Sequence, residues 1–516
     1  MRTLRALSLA ALLPTALAAQ TFRTDDSAIR RIWSVGMDSS HTERLAQVLN
    51  DSIGMRLSGT TGFQSAVDWL VRTYGSWGVT ARAERYGSAP GWRMGTVSMA
   101  LVAPRVQTLD ATLLAWSPGT GGRPVEGEAV VVPLFADSVQ AQRWLPSVRG
   151  KFVLLSPPEL MCRAPQELER YARAATVTRL GEQRQAVQRD WGQRLRAFGG
   201  AGRFGRAVQD AGAAALVSSF WSGGWGVNKI FSALGARVPS VDLSCEHYGS
   251  VWRLAHNGQG PRLRLTSDAE LLPNQPMFSV IAELRGSELP NEYVLLSAHL
   301  DSWHGATGAT DNGTGTITML EAMRILSRAY PRPRRTILVG HWGAEEQGLI
   351  GSRSFAEDHP DIMDGMQVVF NQDNGTWRFE LIEGQGFLGA SVNLARWFSL
   401  LPTELSSYTR LDVPGPQENS GSDHSSFICR GVPAFRLQSP YDEYRQYTWH
   451  TNRDTYDKIV FDDLRSNATT AAMLAYAASE DPERTPRTRA MLPPGRGGQP
   501  RAWPTCSPAQ RNPPSR

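Results

Sequence analysis

Four cysteines in 516 residues are too few to staple a chain of this size. They are also unnecessary, because a chain this long buries its own core and has room for about three domains of 100–200 residues. No stretch is apolar over the roughly 20 residues that a membrane-spanning helix needs; the apolar residues 6–13 are far fewer, and no later segment is apolar enough. A disordered composition is missing too. Apolar residues are 41%, charged residues only 20%, and the chain holds 16 Trp, 17 Phe and 12 Tyr, which excludes a mainly unfolded protein. What is present in excess is positive charge, a formal +5 with pI near 9.1, and that invites a nucleic-acid or membrane-surface partner.

The charge sits at the ends. Residues 1–18 carry Arg2 and Arg5 without an acid, a net +2, and residues 481–516 carry seven Arg against Asp481 and Glu483, a net +5. Of the total of +5, residues 19–480 therefore keep about −2, which offers no electrostatic case for nucleic acid. At the N-terminus, Arg2 and Arg5 precede the apolar residues 6–13, and Ala16-Leu17-Ala18 supplies a small-x-small cleavage pattern. This reads as a signal peptide over residues 1–18 and export to the periplasm or the exterior. No Cys follows to take a lipid. Beyond Asp481, Pro, Arg and Gly without hydrophobic period predict a disordered tail over residues 481–516. It is either a solvated end or one that holds a polyanion such as the cell envelope.

Export makes Cys162, Cys245, Cys429 and Cys506 candidates for disulfides. Three pairings are open. Cys162 with Cys245 is favoured because both fall in one inserted segment, and free buried thiols are the alternative.

Residues 27–85 show helical spacing, with a turn-rich stretch at 53–59 followed by an amphipathic run through Ala66, Leu70 and Val71. Near Ala103 the character changes to short β-rich runs, among them 129–133 and 152–155, bounded by Gly or Pro turns. The Arg- and Gln-rich residues 158–199 have helical spacing and read as an excursion with a solvated charged face. After about Leu272, apolar strands at 294–298, 336–340, 366–370 and 433–437 alternate with helices, one of them over 314–327 with Ile317, Leu320 and Ile325 inward. This predicts an α/β fold: a doubly wound, mostly parallel sheet built from residues 19–103 and 272–480, with a β-rich domain inserted at 104–271. In such sheets the functional groups collect beyond the carboxyl ends of the strands.

There the sequence places His299, Asp301, Asp311, Glu345, Glu346, Asp373 and, further on, His450. Taken singly, each has a plain reading: a turn aspartate in Asp-Asn-Gly, a solvated Glu pair, a scaffolding histidine. Together they form a negative cluster that is costly unless cations neutralise it. Mixed imidazole and carboxylate donors suit zinc better than magnesium or calcium. A carboxylate bridging two ions about 3.5–4 Å apart, with a further His and carboxylate on each, uses five ligands. Of the adjacent pair Glu345-Glu346, one can hold metal while the other faces the attacking water.

The strings SAHLDSWHGATGATDNGTG, GHWGAEEQGLIGS, NQDNG and TWHTNRDTYDKI resemble the four metal-site motifs of the co-catalytic zinc aminopeptidase family, most closely its plasma glutamate carboxypeptidase-like members, over residues 25–480. The resemblance implies two Zn²⁺ per chain: Asp311 as the bridge, His299 and Asp373 completing one site, and Glu346 and His450 the other. It also implies Glu345 as general base, Asp301 as the carboxylate orienting the His299 ring, and a cis Asp311-Asn312 bond. Residues 104–271, with GKFVLL and DAGAAALV, resemble a protease-associated domain that roofs the cleft in the family; the excursion departs from its short form. The loop at 420–427 resembles a substrate-side loop, with Asp423 and His424 as substrate-binding candidates or as a structural turn. His304 and His341 match no ligand position and read as scaffold.

The expectation is thus an exported di-zinc exopeptidase, an aminopeptidase by first choice and a dipeptidase or carboxypeptidase by second, acting on peptides or dipeptides. A homodimer is among the open oligomeric states, and cobalt or manganese in place of zinc is left open. A single-zinc glutaminyl cyclase would not need His299 with Asp373. A receptor-like ectodomain without catalysis would lack ligands, and none is missing here.

Overall fold

The structure is a computed structural model in which residues 24–417, 421–441, 443–492 and 502–512 are described. The signal peptide expected over residues 1–18 lies outside them. Four of the apolar stretches become neighbouring parallel strands, in the order Ala434–Gln438, Met366–Gln372, Leu289–His299 and Arg335–Trp342. Their near-continuous apolar sequences follow from burial on both faces. Antiparallel strands flank them: Leu381–Glu383 lies against Ala434–Gln438, and the end of Arg262–Leu284 against Arg335–Trp342. The sheet is mixed, parallel at its centre. Helices cover both of its faces, as consecutive strand residues show. His341 meets Tyr74 of the Thr61–Ser76 helix, whereas Trp342, pointing the other way, meets Phe355 of Ile350–Asp358. Ile317, Leu320 and Ile325 of the Thr314–Ala329 helix face inward and are fully buried.

The helical pattern expected to reach Arg85 stops at Ser76, and a 24-residue strand, Thr80–Ala103, follows. It pairs antiparallel with Arg262–Leu284, Thr80 opposite Glu283. Local spacing cannot announce a partner so distant in sequence. This ribbon joins two lobes. One apolar core gathers residues up to Ala89 and from Met277 onward, a second gathers Trp92 to Leu265 with Leu57 and Trp303, and Gly91 pairs with Leu272 between them. The change of lobe thus falls near Gly91 on the outward strand, ahead of Ala103. The second lobe is less purely β than expected. Its strands Val125–Val130, Phe152–Leu154, Ala215–Ser218 and Ser240–Leu243 are parallel and helix-flanked. The excursion carries the Ala174–Arg196 helix, in which only Leu180 and Leu195 are buried.

Disulfides join Cys162 to Cys245 and Cys429 to Cys506, and no free cysteine is present. The second bond corrects the tail expectation: the described residues 481–492 and 502–512 are docked. The Asp481 carboxylate accepts from Asn393 Nδ2, Arg396 Nη2 and Trp397 Nε1 at 3.1, 2.6 and 2.7 Å, and Arg511 pairs with Glu357 and Asp358. A composition without period excludes helices and strands; it does not exclude docking through scattered Arg and aromatic contacts. Among the described residues no helix is long and apolar enough to cross a membrane.

Candidate metal centre

His299 ends the central Leu289–His299 strand, Asp373 follows Met366–Gln372, and Glu345-Glu346 follow Arg335–Trp342. Asp311 lies in the turn before the Thr314–Ala329 helix, and His450 in the loop beyond Ala434–Gln438. Parallel strands ending side by side bring these distant residues together.

Asp311 sits between the imidazoles. Its Oδ1 lies 3.4 Å from His299 Nε2 and its Oδ2 3.4 Å from His450 Nε2. His299 Nε2 also faces Asp373 Oδ1 at 2.9 Å, and His450 Nε2 faces Glu346 Oε2 at 3.0 Å. Two groups able to hold a metal result, His299 with Glu345 and Asp373, and Asp311 with Glu346 and His450; within each, the ligand atoms lie within 4.8 Å of one another. Asp311 Oδ2 and Glu346 Oε1 are buried without a hydrogen-bond donor, and buried carboxylate oxygens left that way are costly unless a cation completes them. The donor set, imidazole with carboxylate, fits zinc.

The electrostatics of His450 agree with that fit. Burial lowers the His450 pKa to about 4 against the pull of Asp311, so the ring is neutral at pH 7, the form that ligates. Phe231, Trp303 and Trp449 enclose it, with centroids at 5.2, 5.7 and 4.2 Å. Burial works the same way on His299, but Asp373 and Glu345 hold it well above the ordinary imidazole range. Burial raises Glu345 and Glu346 well above the carboxylate range; Asp373 and Asp423 add to the first effect, Asp311 and Asp301 to the second.

Asp301 divides its work. His299 Nδ1 is 2.9 Å from the Asp301 main-chain carbonyl but 3.7 Å from its carboxylate. The carboxylate instead accepts the backbone N–H groups of Glu345 and Glu346 at 3.1 and 3.3 Å. It therefore orients the Glu pair, and the ring is held by main chain. Asp423 and His424 do not reach the cleft. Both are fully buried, the lining at that point is Gly421, and His424 opens the inward-turned Ser425–Ile428 helix. Burial lifts the Asp423 pKa to about 7, and its charge acts on Glu345. Ser420 lies outside the described residues. His304 Nε2 meets the Leu113 carbonyl and His341 Nε2 the Tyr74 hydroxyl, each at 2.7 Å, as scaffold does. The Asp311-Asn312 peptide is cis.

Several supports were invisible in the sequence. The buried Tyr444 stands beside Asp311 and favours its charged form. The Asp454 carboxylate accepts the N–H groups of Thr310 and Asp311 at 2.7 and 2.9 Å; it lies within the TWHTNRDTYDKI string, and that proximity was the only signal. Arg56 donates to four main-chain carbonyls around the His299–Asp311 loop and carries no sequence mark beyond its turn-rich setting. His450 has φ 60°, a strained left-handed conformation for a residue with a side chain. The second lobe grips it there. Ile230 N donates to the His450 carbonyl at 2.7 Å, Asn452 Nδ2 to Asn228 Oδ1 at 2.9 Å and Asn228 N to Asn452 Oδ1 at 2.9 Å.

Residues 279–475 match peptidase family M28. Over most of its length the chain is similar to carboxypeptidase Q: 27% identical to the Rattus norvegicus protein over 449 residues, 86% of each chain, and 26% identical to that of Homo sapiens over 458 residues, again 86% of each. Among solved structures, a peptidase M28 precursor from Shewanella amazonensis shares the fold with TM-score 0.66 and 22% identity, covering 90% of this chain and 98% of that one. A zinc aminopeptidase from Bacillus subtilis does so with TM-score 0.55 and 17% identity, covering 87% and 97%.

Proposed function

We propose that this chain, which belongs to peptidase family M28 through residues 279–475, is an exported exopeptidase that works with two zinc ions. The observation that carries the reading is the position of Asp311, whose two carboxylate oxygens face two imidazoles, each backed by its own second carboxylate. His299 and Asp373 would hold one ion, Glu346 and His450 the other, and Asp311 both. Export rests on the two disulfides and the absence of a free thiol. In the family resemblance the second lobe is the protease-associated roof of the cleft.

When bound, the ions would polarise the scissile carbonyl and acidify the attacking water. Glu345 is the proton carrier. Burial, reinforced by Asp373 and Asp423, raises its proton affinity, bound cations would lower it again, and a buried carboxylate between these effects suits a general base. Its carboxylate oxygen takes the proton of the attacking water and returns it to the departing amide nitrogen. The Asp301 carboxylate keeps Glu345 and Glu346 in their separate orientations through their backbone N–H groups. Although Glu345 lies within reach of the His299 and Asp373 donor atoms, we assign it to the proton rather than to the metal because its neighbour Glu346 already faces His450.

The test is hydrolysis of a panel of dipeptides and aminoacyl anilides by the zinc-loaded protein, with zinc measured per chain. Glu345→Gln should keep about two zinc ions and lose about 10²–10⁴-fold in kcat, the usual worth of a general base. Unimpaired turnover by that variant would remove Glu345 from the role, and one zinc per chain would favour the cyclase reading.

A further inference from the structure

A second cavity, of about 190 Å³, is bordered by the loop that carries Glu345 and Glu346. Ala344, Gln347 and Ile350 line it, whereas Glu345, Glu346 and Leu349 line the cleft over the ligand groups, and cavity and cleft share no residue. Its wall is drawn from three parts of the molecule. Tyr86, Ala89 and Met277 belong to the first core, Ala115 and Trp116 belong to the second or pack on it, and Gln510 and Arg511 come from the C-terminal segment. The pair Gly91 and Leu272, where the ribbon passes between the lobes, lies in the same wall.

Most of this lining is apolar. An apolar cavity of about 150 Å³ accepts benzene, so this one has room for a six-membered ring with a small head group. Two features decide what that head group is. The Tyr86 hydroxyl and both amide atoms of Gln347 are buried without a hydrogen-bond partner, and Tyr86 as a whole is only 7% exposed. Buried polar groups are costly when unpaired and normally find a partner. Arg511 is the one charged residue of the lining, and its guanidinium already meets Glu357 and Asp358 at 3.0 and 2.8 Å. A carboxylate or an ammonium in the cavity would lie without a counter-charge, which excludes free amino acids and short peptides as its occupant.

The C-terminal segment also offers a way in. The Arg511 carbonyl accepts from Ser88 N at 2.9 Å, and Ser88 Oγ donates to Asn512 Oδ1 at 2.9 Å. The covalent tie of this segment is at Cys506, ahead of the residues that line the cavity. Part-exposed, non-covalent contacts of this kind open locally without unfolding the rest.

We infer that this cavity binds a small neutral molecule with a ring-sized apolar body and one hydrogen-bonding head, a hydroxyl or a carboxamide, which pairs with the Tyr86 hydroxyl and the Gln347 amide. The site is separate from the metal centre, and the inference does not depend on the exopeptidase reading. Because the occupant touches both lobes and the C-terminal segment, its binding opposes their separation.

Four probes test it on the zinc-loaded full chain: phenol, benzamide, toluene, which has no head group, and benzoate, which is charged. Affinity is read by ligand-detected NMR and by the rise in melting temperature, and the place of binding by hydrogen exchange with mass spectrometry. Phenol or benzamide should bind with Kd of about 0.1–1 mM, reasonable for so few atoms. Toluene should bind about 3- to 10-fold more weakly, the worth of one hydrogen bond, and benzoate at least about 10-fold more weakly. Protection should appear in residues 86–91, 344–350 and 509–512. A preference for phenol assigns a hydroxyl head and one for benzamide a carboxamide head; either supports the site. Tyr86→Phe should narrow the advantage over toluene, and Ala236→Phe, which fills the cavity from a loop, should weaken every probe. No binding of phenol or benzamide up to about 10 mM overturns the inference. So does toluene or benzoate binding as tightly as both, or protection confined to the cleft residues 443–450. The wild-type affinities and the protection map decide the matter even where a variant does not fold.

Discussion

Replacing Arg56 by Met tests how the ligand loop is built. Arg56 is fully buried, and its side chain donates from Nε to the Leu300 carbonyl at 2.8 Å, from Nη1 to those of Gly54 and Thr307 at 3.1 and 2.6 Å, and from Nη2 to that of Gly308 at 2.8 Å. Burial lowers its pKa to about 10 against the charges of Asp454, Asp301 and Asp311, so it is a cation at neutral pH. Three of the four carbonyls belong to the loop joining His299 to Asp311, and Arg56 is in effect the centre around which that loop folds. Met fills the space and donates nothing. Each buried acceptor left without a donor costs about 1–3 kcal/mol, so four would cost on the order of 4–12 kcal/mol if nothing relaxed. Water entry and loop movement reduce this, and the expected loss is about 3–5 kcal/mol, the range for removing one partner from a buried charged network. Arg56→Lys should recover little, because a compact ammonium cannot span four separated acceptors. The assay is thermal unfolding by circular dichroism with zinc counted per chain by mass spectrometry. The variant should melt lower, hold less zinc than the wild type, and recover part of its melting temperature in excess zinc, since a ligand that binds only the folded state stabilises it by mass action. An unchanged melting temperature together with an unchanged zinc count would refute the reasoning.

Asn452→Ala removes one arm of the grip on His450 and should lower zinc occupancy by up to one ion per chain, read by the same zinc count, with Glu345 chemistry on the remaining protein altered in kcat more than in KM. Cys506→Ser cuts the bond to Cys429, which closes a long loop of chain, and should cost about 2–4 kcal/mol and make residues 502–512 accessible to limited proteolysis. The His359–Glu84 pair, 2.6 Å apart and part-exposed, gives a pH signature. The bond to Glu84 raises the His359 pKa above 6.5, so its contribution is complete below pH 6.5 and is lost as pH rises through the raised value. Burial opposes ionisation of Glu84, but His359 and Arg82 lower it below 4.5, so that contribution is complete above pH 4.5 and is lost as pH falls through the lowered value. A wild-type minus His359→Gln difference in unfolding free energy should therefore peak between about pH 4.5 and 6.5, at about 1 kcal/mol or less for so exposed a pair.

The candidate ligand loops were legible because the chemistry is written in residue types at strand ends. His299, Asp311, Glu345, Glu346, Asp373 and His450 converge in the structure where the alternation of strands and helices put them. What stayed hidden depends on contacts between distant segments. The Thr80–Ala103 strand owes its form to a partner beginning at Arg262, so its own spacing passed for the end of a helical region. Arg56 and Asn228 look like ordinary turn residues until the chain folds around them. Asp423 and His424, open in the sequence between a substrate loop and a structural turn, are both buried where the loop turns inward to start a helix. The tail was misread because scattered contacts, such as Arg511 on Glu357 and Asp358, leave no period to detect.

The two ligand groups differ in what supports them. His299 is held by the Asp301 carbonyl and the turn of Asp311 by Arg56, and the loop between them enters the second lobe's core through Trp303 and His304. His450 is strained in φ and is kept in place by Ile230, Asn228 and their neighbours in the second lobe. Asp454 couples the two arrangements, because it follows His450 in the gripped loop and its carboxylate holds the N–H of Asp311. Moving the second lobe away would release His450 and loosen the shared Asp311 in one displacement. By the same linkage, whatever occupies the His450 group opposes separation of the lobes in proportion to its binding free energy. The second lobe thus takes part in the centre's construction through its grip on His450, and metal content and lobe closure should rise and fall together.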